Sequence, residues 1–61
     1  MKLIIEWINK ERWGEDETVF ANVDPKTISM NYNFLTFGTE GYKTHWNHHI
    51  ADIKGFHFEE D

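Results

Sequence analysis

The sequence predicts a small all-β domain, folded as an antiparallel meander of about five strands with one short helical turn. Three observations favour this class. Apolar and polar residues alternate along most of the chain, which is the period of half-buried strands. Helical spacing occurs in one segment only, and glycine, proline, aspartate and asparagine separate the alternating runs. Because 61 residues can hold only one hydrophobic core, we expect a single domain, residues 1–61.

The first two strands are predicted at residues 2–8 and 18–23. Residues 9–17 between them are polar, contain Gly14 and are expected to form a loop. Residues 24–27, Asp-Pro-Lys-Thr, predict a tight turn, because proline presets φ for the second turn position and aspartate favours the first. The side chains assigned to the core from this half of the chain are Leu3, Ile5, Trp7, Val19, Ala21 and Val23.

A change of phase marks the strand predicted at residues 28–37. Its apolar residues occupy even positions up to Phe34 and odd positions from Leu35 onward. Since a slip of one residue moves every side chain to the other face, we expect a bulge, a kink or a crossing between sheets near Phe34 and Leu35. The core residues assigned to this strand are Ile28, Met30, Tyr32, Leu35 and Phe37.

The last third of the chain predicts a hairpin, a helical turn and a final strand. Residues 38–41 contain two glycines and are expected to form the hairpin loop before a strand at 42–47. Apolar residues spaced i, i+4 and i+7 from Trp46 predict the helical turn near residues 47–52. A short strand follows at 56–58. The core residues assigned here are Tyr42, Trp46, Ile50, Ile53 and either Phe56 or Phe58.

Short connections favour pairing between strands that follow one another, and a partly closed, SH3-like barrel is the favoured arrangement. A domain of this size is marginally stable, and with no cysteine it cannot add disulfides. Three tryptophans, two tyrosines and five phenylalanines are expected to supplement the core. Truncating Trp46 to alanine is therefore expected to be among the most damaging changes, at about 3–5 kcal/mol.

Composition disfavours several classes of function. With a formal charge of −5 and only six scattered basic residues, the chain is not expected to bind nucleic acid or anionic membranes directly. The N-terminal apolar run is too short for a signal peptide or a membrane span, which favours a cytoplasmic protein. Neither catalysis nor a cofactor is expected: cysteine is absent, Ser29 has no base near it in sequence, and so small a chain does not easily enclose a pocket.

A group of histidines raises the question of a metal site. The weak candidates for ligands are His45, His48, His49 and Asp52. A turn could bring His45 and His48 onto one ion, and Asp52 lies one helical turn after His48. The alternative is that these residues are solvated at a strand end, and the absence of a known metal-finger spacing favours it.

Acidic residues give the sharper prediction. Six of the eleven acids fall in two runs, residues 15–17 and 59–61. In a five-strand meander, both runs and Glu40 gather at one end of the sheet, and the histidines lie at the other. This acidic pole would attract a basic partner, although solubility alone could also explain a charge of −5. The predicted partner-binding residues are Trp13, Glu15, Asp16, Glu17, Glu40, Glu59, Glu60 and Asp61.

Trp13 has two interpretations. It either folds back over the open end of the barrel, which is favoured, or it is an exposed hot spot beside the acids.

The leading hypothesis is a non-catalytic protein-binding module. We expect a small acidic inhibitor or adaptor, of the kind found among phage and mobile-element accessory proteins, that docks on a basic, nucleic-acid-handling protein. That association rests on size and composition. The alternative is a homo-oligomeric structural protein, such as a homodimer, that pairs through exposed edge strands. A histidine-based metal binder is the third hypothesis.

Overall fold

The computed structural model describes residues 1–39 and 45–60 of the chain. They form strands for most of their length, so the predicted all-β class is confirmed. The elements, in chain order, are β1 (Lys2–Trp7), α1 (Lys10–Trp13), β2 (Glu17–Phe20), β3 (Val23–Met30), β4 (Phe34–Thr39), β5 (His45–His49), a 3-10 turn (Ile50–Asp52) and β6 (Ile53–Glu59).

Within the described residues, the strands form two three-stranded antiparallel sheets that do not close into a barrel. In the second sheet the order is β3-β4-β5, so each strand pairs with the next one in sequence, as a meander requires. In the first sheet the order is β2-β1-β6, so the last strand pairs with the first. The predicted single meander is therefore wrong for this sheet, because alternation defines a strand's buried face but not the strand that it pairs with.

The core lies between the inner faces of the two sheets. Its buried members come from β1, β3 and β4, and all were predicted: Leu3, Ile5, Trp7, Val23, Leu35 and Phe37. Partly buried side chains pack around them, namely Trp13, Phe20, Ile28, Ile50, Ile53, Phe56 and Phe58. Ile4 is buried as well, although it lies on the opposite face of β1, between Val19 and His57 of the two neighbouring strands.

Strand β2 turns toward the core the face that was predicted to point outward. Phe20 lies opposite Leu3 and therefore points inward, where its ring contacts Phe37 with centroids 5.0 Å apart. Val19 is 53% exposed on the outer face, and Ala21 is exposed where the strand has ended. Both of these core assignments are wrong, because the inward Val23 belongs to a different strand and does not set the phase of β2, whose inward aromatic residue is Phe20.

The predicted strand 18–23 is divided by a crossing between the sheets. The chain leaves the first sheet after Phe20 and enters the second at Val23. Asn22 makes the bend with a left-handed backbone, φ 56°. Glycine adopts this conformation most readily, and asparagine tolerates it better than most other residues. Val23 thus lies in the core, as predicted, but as part of the other sheet.

The residues of the predicted tight turn, 24–27, form a bulge within β3 instead. Asp24 lies opposite Gly38 and Ser29 lies opposite Thr36, so the residues between Asp24 and Ser29 face Phe37 alone on β4. The turn chemistry is present, since the Asp24 carboxylate accepts from the Lys26 amide at 3.0 Å. The chain nevertheless continues in its original direction, and the predicted reversal is wrong.

The phase change near Phe34 comes from a reversal of the chain. Asn31 and Phe34 exchange backbone hydrogen bonds of 2.9 and 3.3 Å, which close a hairpin with Tyr32 and Asn33 at its tip. Residues 28–37 are therefore two strands rather than one bulged strand. Tyr32 is fully exposed at the tip and Met30 is 59% exposed, so both core assignments are wrong.

The remaining elements follow the predicted order with shifted bounds. The first half of the predicted loop 9–17 contains α1, and the helical turn predicted near 47–52 is the 3-10 turn Ile50–Asp52. Trp46 lies on the inner face beside Phe37, but β5 has a neighbour on one side only, so 43% of Trp46 is exposed. Its assignment to the buried core is wrong. Gly38 and Thr39 of the predicted hairpin loop belong to β4, and Tyr42 and residues 40–41 lie outside the described residues.

Candidate functional site

The two acidic runs lie at opposite ends of the first sheet. Glu17 lies opposite Glu6, near the end of β1, whereas Glu59 lies opposite Lys2, at its beginning. The predicted acidic pole therefore does not gather both runs. The reason is that β6 runs antiparallel beside β1, which carries its C-terminal end to the start of β1. Glu60 follows Glu59 in the chain, and Glu40 and Asp61 lie outside the described residues.

The fold brings the first acidic run, residues 15–17, together with Glu6, which the sequence did not assign to the site. We call Glu6, Glu15, Asp16 and Glu17 the acidic edge. The Trp7 amide donates to the Asp16 carbonyl at 2.9 Å, which holds the run against the end of β1. The signal that could have found Glu6 is its phase, since it lies between the inward Ile5 and Trp7 and must point outward.

A shallow depression of about 140 Å³ opens at the acidic edge. It is lined by Glu6, Trp7, Asp16, Glu17 and Lys54. Gly55 lies opposite Glu6 on β6, and the Glu6 carboxylate lies only 3.4 Å from the point where a Cβ on residue 55 would be. The missing side chain thus leaves room for the carboxylate on the outer face of the sheet.

Charges at the acidic edge are only partly balanced within the chain. The Lys10 ammonium lies 3.9 Å from the Asp16 carboxylate, and both side chains are largely exposed. Within residues 1–39 and 45–60, no ion pair involves Glu6 or Glu17, although these residues lie directly opposite each other on adjacent strands. Like charges in that position are destabilising.

Glu15 has a structural role inside this group. The Trp7 indole N–H donates to the Thr18 hydroxyl at 2.8 Å, and that hydroxyl donates to the Glu15 carboxylate at 3.0 Å. The chain of two hydrogen bonds satisfies a largely buried indole N–H. Glu15 is therefore a hydrogen-bond acceptor for the core, while Glu6 and Glu17 have no such internal partner among the described residues.

Trp13 folds back onto the core, as the favoured interpretation predicts. Its ring stacks on Trp7 with centroids 4.0 Å apart and planes inclined by 9°. Asn9 accepts from the Arg12 amide at 3.2 Å to cap α1, and Gly14 ends the helix with φ 78°. The short helix therefore delivers one aromatic side chain to the core and leads the chain into the acidic edge.

His48 lies inside a group of aromatic rings, not at a solvated strand end. The neighbouring rings, with centroids 5.4 to 6.0 Å from the imidazole, are Trp7, Trp13, Phe20 and Phe37. Burial lowers the pKa of His48 from its ordinary value of 6.5, and the Asp52 carboxylate acts in the opposite direction. His48 lies two residues after Trp46 on the same strand, so both side chains point to the same face, and this spacing was the signal for its inward position.

The predicted metal ligands do not converge. His48 points inward, whereas His49 lies on the outer face and its ring contacts Phe34, with centroids 4.6 Å apart. The Asp52 carboxylate accepts from Arg12 at 3.4 Å. Across the described residues no group of three or more metal-ligating side chains could hold an ion. The side chain of His45, the fourth candidate ligand, lies outside the described part of the structure.

The chain matches no family model, no curated protein and no solved structure. In the part of the chain that the structure describes, no helix has both the length and the apolar character needed to cross a membrane.

Proposed function

We propose that this protein is a non-catalytic protein-binding module and that its acidic edge receives a basic side chain of the partner. The observation that carries the proposal is the cross-strand pair Glu6 and Glu17, two carboxylates held opposite each other without an ion pair to any described residue. A partner's cation placed between them would turn a repulsive pair into an attractive site.

The shape of the site supports a single inserted side chain. A depression of about 140 Å³ is much smaller than the roughly 300–1,000 Å³ of a typical small-molecule pocket. Glu6, Asp16 and Glu17 all line the depression, and their carboxylates suit the planar fork of a guanidinium, which binds carboxylates through paired hydrogen bonds.

The class of partner follows from this charge preference. We infer a protein with a basic surface, and a nucleic-acid-handling protein is the kind whose basic surface is largest. An inhibitor or adaptor of the phage or mobile-element type, located in the cytoplasm, stays a prediction from size and composition.

An NMR titration tests the site with a defined probe, a short peptide in which one arginine side chain is the only charged group. We expect amide shifts concentrated at Glu6, Trp7, Asp16, Glu17 and Lys54, weakened by added salt. The double variant Glu6→Gln/Glu17→Gln should abolish them, and Glu11→Gln/Glu60→Gln, with the same change in charge, should not. Shifts of equal size in both variants, or shifts centred on residues 59–60, would contradict the proposal.

The same pair of variants then tests the function on a natural partner. Tagged wild-type protein and both double variants are used for affinity capture from one lysate. A captured basic protein should be retained by Glu11→Gln/Glu60→Gln and lost by Glu6→Gln/Glu17→Gln. Retention by both variants would show that binding uses another surface.

A further inference from the structure

Four strands lie at the edges of the two sheets, and their backbones differ in how they are protected. In the described residues β2 and β6 flank β1, while β3 and β5 flank β4, so each of the four has one neighbour. An edge strand exposes a row of unpaired N–H and C=O groups, which is a template for another strand. Proteins that stay monomeric usually block such edges with charges, proline, bulges or short length.

Three of these edges carry such devices. Strand β2 has only four residues and begins at Glu17 of the acidic edge. Strand β3 contains Pro25 and the bulge between Asp24 and Ser29. Strand β6 has an exposed Lys54 and the His57–Glu59 pair, whose atoms are 3.7 Å apart, along with an irregular register near Gly55.

Strand β5 carries none of them. Its five residues pair with β4 in one unbroken register, from Phe34 opposite His49 to Gly38 opposite His45. It contains no proline, no glycine and no acidic, lysine or arginine residue. The absence of charge extends from β5 across β4 to the end of β3, since residues 27–39 and 45–51 include no Asp, Glu, Lys or Arg. The charged residues of this sheet, Asp24 and Lys26, lie on β3, the edge strand farthest from β5. In a chain with a formal charge of −5, the described residues of β5 can therefore meet those of a second copy without charge repulsion.

We propose that β5 pairs antiparallel with β5 of a second copy about a two-fold axis at Asn47, which joins the two sheets into one of six strands. A two-fold contact is self-complementary, so Asn47 faces its own copy and Trp46 faces His48 of the second copy. This pairing gives the exposed part of Trp46 an aromatic neighbour. A strand from a charged partner would find no complementary charge here, which is why the second copy is the occupant.

This inference is independent of the proposed function. The acidic edge belongs to the first sheet, and β5 belongs to the second. A variant at Asn47 therefore leaves the Glu6–Glu17 site unaltered, and arginine-peptide binding can be measured on the same sample.

Sedimentation equilibrium on the full chain at neutral pH, up to millimolar concentration, tests the proposal. The exposed Asn47 side chain lies on the outer face, opposite Thr36, so a charged residue there is compatible with the fold. We expect the wild type to dimerise. Asn47→Lys and Asn47→Glu should each raise the dimer Kd at least about tenfold, because like charges then meet across the axis.

Charge exchange makes the test specific. An equimolar mixture of Asn47→Lys and Asn47→Glu should recover the dimer, because opposite charges now face each other. Asn33→Lys, the same substitution at the hairpin tip, should leave the Kd unchanged. A monomeric wild type, an unaltered Kd in Asn47→Lys, an equal loss in Asn33→Lys, or a mixture that stays monomeric would each overturn the proposal.

Discussion

Trp7 and Trp13 stack face to face, although one belongs to β1 and the other to a four-residue helix. Too short to be stable alone, α1 depends on this contact for its position. The chain passes from α1 through Gly14 into the acidic edge, so the same contact also positions the proposed binding residues.

Trp13→Ala should lower the free energy of unfolding by about 2–3 kcal/mol, which combines half-burial of an indole with the loss of an aromatic pair. Trp13→Phe should cost less, because it retains a ring. Urea unfolding measures both, and the coupled-indole signal in circular dichroism should vanish in either variant. Unaltered stability of Trp13→Ala would show that the stack contributes nothing.

How much of the fold the sequence could predict depends on the strand. For β1 the prediction was right because Lys2 and Glu6 mark the outer face, although Ile4 on that face is buried as well. For β2 it was wrong because the apolar odd positions Val19, Ala21 and Val23 suggested one continuous strand, whereas the strand ends at Phe20, which lies opposite Leu3 on the inner face. The β1–β6 pairing joins residues 46 to 57 positions apart, and no local pattern encodes such a contact.

Trp46→Ala should cost much less than Trp7→Ala. Trp7 is 4% exposed and Trp46 is 43% exposed, so the same truncation removes far more buried surface at position 7. We expect about 3–5 kcal/mol for Trp7→Ala, enough to unfold so small a domain, and less than about 2 kcal/mol for Trp46→Ala. Thermal melts at low protein concentration, where association is absent, check this. A melt of Trp46→Ala as low as that of Trp7→Ala would contradict the structure.

Acidification should destabilise the fold through His48. Burial lowers its pKa, so the unfolded chain takes up this proton at a higher pH than the folded chain. Stability is therefore complete above the ordinary value of 6.5 and falls as the pH drops from there toward the lowered pKa.

The matched experiment compares His48→Gln with His57→Gln, an exposed position. Between pH 7.5 and 5, the melting temperature of His48→Gln should depend less on pH than that of the wild type, whatever its absolute stability. The melting temperature of His57→Gln should keep the pH dependence that His48 causes in the wild type. Equal slopes in the wild type and His48→Gln would show that His48 does not couple to folding.

For the candidate site, the sequence could predict the chemistry but not the grouping. The run Glu15–Glu17 was identified from composition alone, and its neighbour Glu6 follows from strand phase. Whether Glu59 joins them depends on the partner of β6, and the antiparallel pairing with β1 sends it to the other end. The aromatic surroundings of His48 likewise depend on Trp13 of α1, whose folding back was the favoured interpretation but whose contact with His48 no local pattern indicates.

Removing the repulsion between Glu6 and Glu17 should stabilise the free protein while weakening binding. Their strands hold them directly opposite each other, so Glu17→Gln should raise the free energy of unfolding by about 0.2–1 kcal/mol. Glu17→Lys should raise it at least as much, because an opposite-charge pair replaces a like-charge pair. Both gains should shrink in high salt, where exposed charges are screened.

Urea unfolding at low and high salt measures these changes, with Glu11→Gln in α1 as the control for charge alone. A site that binds a basic side chain needs both carboxylates, so the change that relieves their repulsion also removes part of the attraction for the partner. Arginine-peptide affinity should therefore fall in the two Glu17 variants as their stability rises. If Glu17→Gln lowers stability instead, the carboxylate has an internal role, and the argument for an open cation site at the acidic edge fails.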